Sequence, residues 1–252
     1  MIDLAYTQHR GNKPRQQDAL WAGERVLQEN DLPVQGREVA LDPCLTVAVA
    51  DGLSGTTLPH LASRVALEAL DAEIRGGAML SSASLRRVHG RLCDRLATGR
   101  GRGGATTIAA VTCWVDRCVA LSVGDSRVYR ISAQGGWQQL TRDHTVRNNM
   151  IDAGLADEQT EYATLYDCLD GYLTADSQET DFPVCRVEAP ISQGDAILVC
   201  TDGVHNCLGE QQLGQLTALP LAAATQLEIL RKAILDAGAP DNFSMVMLVR
   251  RE

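Results

Sequence analysis

The sequence predicts an α+β domain in which sheets and helices form layers. Apolar runs of five to seven residues, the length of a buried strand, recur along the chain, and stretches of helical periodicity follow several of them. Short turns join consecutive runs in the middle of the chain, which favours antiparallel pairing. With 252 residues, of which 45% are hydrophobic, the chain is long enough for a substantial core. We therefore expect a single domain over residues 1–252.

Three helices are predicted, two in the middle of the chain and one near its end. Thr56 or Thr57 is the expected cap of the first helix, and Pro59 lies in its first turn. Residues 86–98 form the second helix, and the segment Gly238–Pro240 ends the last one. The apolar residues whose spacing defines the first and last helices are Leu58, Leu61, Val65, Ala69, Leu227, Leu230 and Ile234.

Strands are predicted where the short apolar runs occur. The segment Gln134–Gly136 is typical of a hairpin turn between two of them. The predicted strands are Leu45–Ala50, Ala105–Val115, Arg117–Val123, Ser126–Ile131, Trp137–Leu140, Ala196–Cys200 and Phe243–Val249.

Aspartates stand at the ends of four of these runs, namely Asp51, Asp125, Asp202 and Asp241. A side chain at a strand end lies at the rim of a sheet on rigid backbone. Four such carboxylates, if they meet, form an oxygen-only site that suits Mg²⁺ or Mn²⁺ better than zinc. Two such ions can activate water and clamp a phosphoryl group. The residues alone therefore predict metal-assisted hydrolysis of a phosphoester, without distinguishing protein, nucleotide and sugar phosphates. The alternative is that each aspartate is only a turn residue.

Seven short motifs occur in order between residues 11 and 246. The fullest are Val123–Tyr129, which reads VGDSRVY, and Leu140–His144, which reads LTRDH. The other five are Gly11–Asp18, Ala50–Gly55, Gly104–Thr107, Thr201–Val204 and Asp241–Val246. In this order they resemble the motifs of the metal-dependent Ser/Thr protein phosphatases of the type 2C family. Any one motif is weak, but the ordered set is highly specific.

The resemblance implies a four-layer α-β-β-α sandwich, with two antiparallel sheets flanked by helices and a dimetal site at one end. It implies two Mn²⁺ or Mg²⁺ ions, with Asp51, Asp202 and Asp241 on the first and Asp51 and the Gly52 carbonyl on the second. Asp125 matches the residue of a third, weaker ion site.

Asp18 matches a residue that holds metal-bound water. The implied reaction is hydrolysis of phosphoserine and phosphothreonine in proteins by attack of a metal-bridging water. The compact length resembles a stand-alone bacterial enzyme that opposes a Ser/Thr kinase.

Three positions depart from the family pattern: Lys13, Leu53, and Gln17, which stands where some members have a glutamate. Lys13 stands where the family has an arginine that binds phosphate, and Arg15, two residues on, is a second candidate for that role. Leu53 stands where animal enzymes have a candidate general-acid histidine. These departures motivate one alternative, a non-catalytic phosphoprotein-binding member of the same fold. A second alternative is a hydrolase of small phosphorylated metabolites.

The composition limits partners and location. A formal net charge of -9 argues against a general nucleic-acid binder. No apolar run is long enough for a membrane helix, and the first residues do not resemble a secretory signal, so we expect a cytoplasmic protein without a membrane partner. The eight cysteines include no C-x-x-C pair and are expected to be free thiols.

The stretch from Asn148 to Cys185 contains no lysine or arginine but many acidic residues. It overlaps residues 143–182, the region expected to form a flap beside the site. One interpretation is a surface that attracts basic segments of a phosphoprotein substrate. The alternative is an ordinary solvated acidic surface.

Overall fold

The structure is a computed structural model that describes residues 1–157 and 164–251. Fourteen strands lie in this part of the chain, and every pairing between them is antiparallel. In chain order they are β1 (Ile2–His9), β2 (Ala19–Trp21), β3 (Val26–Leu27), β4 (Asp31–Val39), β5 (Leu45–Ala50), β6 (Ala105–Thr106), β7 (Ile108–Cys113), β8 (Arg117–Val123), β9 (Arg127–Ile131), β10 (Trp137–Gln139), β11 (Leu173–Thr174), β12 (Cys185–Pro190), β13 (Ala196–Cys200) and β14 (Phe243–Arg250).

Two six-stranded sheets lie face to face. The first has the strand order β10-β9-β13-β14-β1-β4, and the second has the order β12-β8-β7-β5-β2-β3. Strands β6 and β11 form a separate two-stranded sheet. Along β5 the side chains alternate: Val47 and Val49 face the other sheet, whereas Ala48 and Ala50 belong to the core under the helices. This alternation gives the second sheet two apolar faces, so that sheet needs a layer on either side.

The described residues form five α-helices, and four of them cover the outer faces of the sheets. They are α1 (Pro59–Arg75), α2 (Ser82–Leu96), α3 (Val146–Asp152), α4 (Asp202–Leu216) and α5 (Ala223–Asp236). Helices α1 and α2 share one core with the second sheet, and α4 and α5 share another with the first. The predicted four-layer α-β-β-α sandwich is therefore confirmed.

The strand predictions succeed where apolar runs are uninterrupted. The predicted bounds of β5, β8 and β13 are those of the structure. The single strand predicted over Ala105–Val115 is wrong. The chain breaks at Thr107, whose N–H donates to the carbonyl of Asp51 at 2.8 Å, so that β6 and β7 join different sheets.

Two features of the helices differ from the predictions. The cap of α1 is Leu58 rather than Thr56 or Thr57; it has a positive φ of 48° and makes no side-chain capping bond, while Pro59 follows as predicted. Helix α2 begins at Ser82, four residues before its predicted start, because Ser81 forms a capping box with the third residue of the helix.

The predicted flap, residues 143–182, contains α3 and β11, while residues 158–163 lie outside the described part of the chain. Its extent stays a prediction. Within the described residues, no helix combines the length and the apolar character needed to cross a lipid bilayer.

Candidate metal centre

Five aspartates that the sequence singled out lie together at one end of the sandwich. Asp51 follows β5 of the second sheet, and Asp202 begins α4 just past the end of β13 of the first sheet, with Thr201 between the strand and the helix. Their carboxyl groups are close enough to share a hydrogen bond, and the charge of Asp202 acts on Asp18 and Asp125 as well. Asp241 precedes β14 and interacts electrostatically with Asp202. The two sheets therefore bring their acidic ends to one place.

Two threonines fix the position of Asp51. Its N–H donates to Oγ1 of Thr107 at 3.0 Å, and Oγ1 of Thr106 donates to its carbonyl oxygen at 2.8 Å. The Thr107 hydroxyl also bonds to Oγ of Ser126 at 2.7 Å, beside Asp125. Both backbone polar groups of Asp51 are thus satisfied, so its carboxylate is presented from a rigid loop.

Asp18 is fully buried between the sheets. Its Oδ2 accepts hydrogen bonds from Oγ1 of Thr201 and Oγ of Ser244, each at 2.9 Å. Its Oδ1 accepts no bond from an amide or hydroxyl group of the described residues, and Asp51 can donate to Asp18 only when its own carboxyl is protonated. A buried carboxylate oxygen with no permanent donor is costly and indicates a missing cationic or water partner.

A close backbone contact places Asp202 beside Asp241. A Cβ atom on Gly203 would lie 1.9 Å from the carbonyl oxygen of Asn242, so only glycine permits α4 to begin here. Oδ2 of Asp202 accepts a hydrogen bond from Nδ2 of Asn206, one turn along the helix, at 3.1 Å. The first turn of α4 therefore packs directly on the loop that carries Asp241.

Asn242 ties the first motif to this loop. Its Oδ1 accepts from the N–H of Gln17 at 2.8 Å, and its Nδ2 donates to the carbonyl groups of Arg10 at 2.7 Å and Arg15 at 3.2 Å. The loop that contains Lys13 and Arg15 is thereby held beside Asp241.

Asp125 is held by two histidines through the backbone. Gly124 has a φ of +100°, and its N–H donates to Nδ1 of His144 at 3.0 Å. Nε2 of His205, on α4, donates to the carbonyl oxygen of Asp125 at 3.0 Å. Burial and then the Arg127 charge lower the pKa of His205 to about 3, so this histidine is neutral and acts as a hydrogen-bond donor.

The carboxylates oppose one another's ionisation. Burial, followed by the charges of Asp18 and Asp202, raises the pKa of Asp51 well above its ordinary value. Burial, together with the charge of Asp241, also raises the pKa of Asp202. Burial likewise raises the pKa of Asp18 to about 7, and burial with the Asp202 charge raises that of Asp125 to about 8. A bound divalent cation would remove this conflict.

The donor set fits a hard cation, although the carboxylates are not yet arranged as a coordination shell. Among the described residues, no three His, Cys, Asp or Glu side chains surround a common point. The ammonium group of Lys13 pairs with Asp241, with Nζ 2.9 Å from Oδ2. Oxygen ligands alone, mutual repulsion and the unsatisfied Asp18 oxygen together fit Mg²⁺ or Mn²⁺.

A comparison with known proteins identifies the family. The sequence profile described as protein phosphatase 2C matches residues 7–237, which is most of the chain. The chain belongs to the protein phosphatase 2C family. The resemblance inferred from the seven motifs is therefore confirmed.

Named relatives of this phosphatase 2C chain are bacterial Ser/Thr phosphatases. It is 24% identical over 238 residues to the serine/threonine protein phosphatase PstP of Mycobacterium tuberculosis. The match covers 92% of this chain but only 41% of that protein. The crystal structure of PstP from the same organism superposes with a TM-score of 0.78 at 22% identity, covering 100% of this chain and 99% of the other. A PstP catalytic domain in complex with two manganese ions gives a TM-score of 0.73 at 21% identity, covering 100% of each chain. At these identities the superpositions are evidence for the phosphatase 2C fold.

The sequence also left parts of this phosphatase 2C site undetected. The side chains that hold the aspartates were not predicted, and they include Thr201, Ser244, Asn242 and His205. Thr201, Asn242 and Ser244 lie within two of the seven motifs, but the motifs do not indicate which aspartate each one holds, and His205 lies outside all seven. The Gly203 contact was signalled only by the Asp-Gly pair, which also occurs in ordinary turns.

The stability of the metal-free protein should depend on pH. The folded-state pKa values of these aspartates lie above an unfolded value of about 3.9, so the folded state binds more protons. The contribution of these aspartates to the stability of the folded protein is complete below about pH 4, and it is lost as the pH rises through their folded-state pKa values. We expect the melting temperature in chelator to fall between about pH 6 and pH 8.5, and Mn²⁺ to remove most of that fall. Scanning calorimetry with and without Mn²⁺ tests this, and a metal-free melting temperature that rises over this interval would contradict it.

Proposed function

We propose that this protein hydrolyses phosphoserine and phosphothreonine in proteins with the help of two Mn²⁺ or Mg²⁺ ions. The observation that carries the proposal is the carboxylate cluster in which Asp51, Asp202 and Asp241 adjoin and a buried oxygen of Asp18 lacks a permanent donor. The names of the relatives, which are called protein phosphatases, support the substrate class. We also propose that this chain opposes a Ser/Thr kinase.

The proposed metal ligands are Asp51, Gly52, Asp202 and Asp241, with Asp125 as a ligand of a third, weaker ion. Asp18 would bind from the outer shell, since it is fully buried and anchored by Thr201 and Ser244. When bound, such ions supply Lewis-acid activation of water and neutralise charge on the phosphoryl group. The protein contributes rigid carboxylates, backbone groups that are already satisfied, and an acidic cluster that favours cations over other ligands.

Arg15 is the proposed phosphate-binding side chain. Its Nη1 contacts Nε2 of His60 at 3.0 Å, and the guanidinium forms no ion pair with a carboxylate of residues 1–157 or 164–251. Lys13, by contrast, is engaged with Asp241. An arginine can form two parallel hydrogen bonds with a phosphate, which a lysine cannot.

Basic segments of the substrate are proposed to meet the acidic region that follows α3. The side chains of Asp167 and Asp181 remain 60% and 100% exposed even though each lies near an arginine. Exposed carboxylates of this kind attract cationic peptides over a distance of about 8–10 Å at physiological salt. We expect this action to occur in the cytoplasm, within the pathway of a cognate Ser/Thr kinase.

A metal-dependent assay on a phosphothreonine peptide tests the function. We expect turnover with Mn²⁺ that is lost in chelator and restored by Mn²⁺, and a larger kcat/KM for the phosphopeptide than for a sugar phosphate. Arg15→Met should raise KM for the peptide by about tenfold or more, because one charge-assisted phosphate contact is lost. Binding of the phosphopeptide without turnover by the folded protein would instead support a non-catalytic module. Preference for the sugar phosphate would indicate a metabolite hydrolase.

A further inference from the structure

Hydrogen bonds of its neighbours hold Lys13 beside the loop that carries Asp241. The N–H of Asn12 donates to the carbonyl of Ala239 at 2.9 Å, and Nδ2 of Asn12 donates to that of Gly238 at 2.7 Å. The carbonyl of Lys13 itself accepts a hydrogen bond from Nη1 of Arg10 at 2.7 Å. The loop therefore fixes the start of the lysine side chain beside the Asp241 loop, which lowers the entropic cost of the ion pair.

The ammonium group of Lys13 lies on a carboxylate of the proposed metal site. Nζ is 2.9 Å from Oδ2 of Asp241, and the two side chains are 33% and 42% exposed. The charges of Asp202 and Asp51 raise the pKa of Lys13, as the contact with Asp241 does. The lysine thus interacts with all three carboxylates that are proposed to hold the first cation.

An ammonium ion and a divalent cation compete for such a site. Both are attracted by the same carboxylate oxygens, and they repel each other at short range. A cation that binds Asp241 must therefore either displace the Lys13 ammonium group or bind while that group still repels it. Either effect weakens metal binding.

We propose that Lys13 is a tethered counter-ion of the metal centre, which neutralises Asp241 when that carboxylate binds no metal and thereby weakens and sets the affinity for the divalent cation. This inference rests on the proposed function, because it assumes the same metal site. It assigns Lys13 to control of metal affinity and leaves recognition of phosphate to Arg15.

Arg15 provides a matched comparison two residues along the same loop. It carries the same charge, but its guanidinium contacts His60 rather than a carboxylate of the cluster. Replacing Arg15 therefore measures the general effect of removing one positive charge from the loop. Replacing Lys13 measures that effect together with the removal of the ammonium group that competes with the metal ion for Asp241.

Titration calorimetry of Mn²⁺ into the chelator-treated protein of residues 1–252 tests the inference. We expect Lys13→Met to tighten Mn²⁺ binding by about fivefold or more, the factor that corresponds to one exposed ion pair. Arg15→Met should change the dissociation constant by less than about twofold. Thermal melts give a second readout: without metal Lys13→Met should melt no higher than the wild type, and its gain on adding Mn²⁺ should be larger.

The outcomes separate the two proposals. A Lys13→Met dissociation constant within about twofold of the wild type, or equal tightening in Arg15→Met, would overturn the role of Lys13 while leaving the proposed function intact. Should Lys13→Met fail to fold, Lys13→Gln provides the same comparison with a polar side chain. A wild-type protein that binds no Mn²⁺ would overturn the metal-dependent function itself, and the role of Lys13 with it.

Discussion

Asp202→Asn should abolish turnover while leaving the protein folded. The substitution keeps the shape of a side chain that lies between Asp51 and Asp241 but removes the negative charge that a divalent cation requires. We expect Mn²⁺ affinity to fall by more than about 100-fold and kcat to fall to the level of the metal-free protein. Measurements of kcat on a phosphothreonine peptide and of Mn²⁺ binding by calorimetry check both effects.

The fold of the Asp202→Asn variant should survive because the charge of Asp202 is unfavourable without metal. Burial raises its pKa, so a neutral amide at this position relieves repulsion within the cluster. We therefore expect the metal-free variant to melt at the wild-type temperature or above it at pH 8. Asp236→Asn, on the exposed end of α5 and paired only with Lys232 among the described residues, is the matched control and should retain activity. Full activity in Asp202→Asn would contradict the assignment.

Gly203→Ala should unfold or severely destabilise the protein. The added Cβ would lie 1.9 Å from the carbonyl oxygen of Asn242, a backbone atom that cannot rotate away. Relief requires α4 to move away from the Asp241 loop, and we expect a loss of about 3 kcal/mol or more in the free energy of unfolding. Because the same movement separates Asp202 from Asp241, Mn²⁺ should stabilise the variant less than it stabilises the wild type.

Gly90→Ala is the control for this substitution. Gly90 lies in α2 with nothing within 4 Å of the position of the new Cβ. Alanine favours the helix over glycine, so this variant should gain about 0.5–1 kcal/mol. Urea denaturation of the two variants gives both values, and a Gly203→Ala protein as stable as the wild type would show that α4 does not rest on Asn242.

The parts of the fold that the sequence predicts are those with uninterrupted apolar character. Strands such as β8 and β13 are buried on both faces and read as continuous apolar runs. Strand β4 was not predicted, because Pro33 and Gly36 interrupt it and none of its residues is buried. Helix α4 was missed for a similar reason, since Gly209 interrupts its helical backbone with a φ of 70°.

The candidate site was predictable from strand ends but not from its supporting contacts. Asp51 and Asp202 could be predicted from the sequence because each follows a strong apolar run. They meet because the two sheets pack face to face. The anchoring of Asp18 by Thr201 and Ser244 depends on residues more than 180 positions away. The ion pair between Lys13 and Asp241 likewise joins opposite ends of the chain, so no local pattern indicates it.

Anomalous diffraction from crystals grown with Mn²⁺ tests the central claim most directly. The claim is that Asp51, Asp202 and Asp241 hold paired cations at one end of the sandwich. We predict two strong manganese peaks within bonding distance of these carboxylates, one of them also near the Gly52 carbonyl, with Lys13 displaced from Asp241. Manganese peaks only at other sites, with Lys13 still paired to Asp241, would contradict the account.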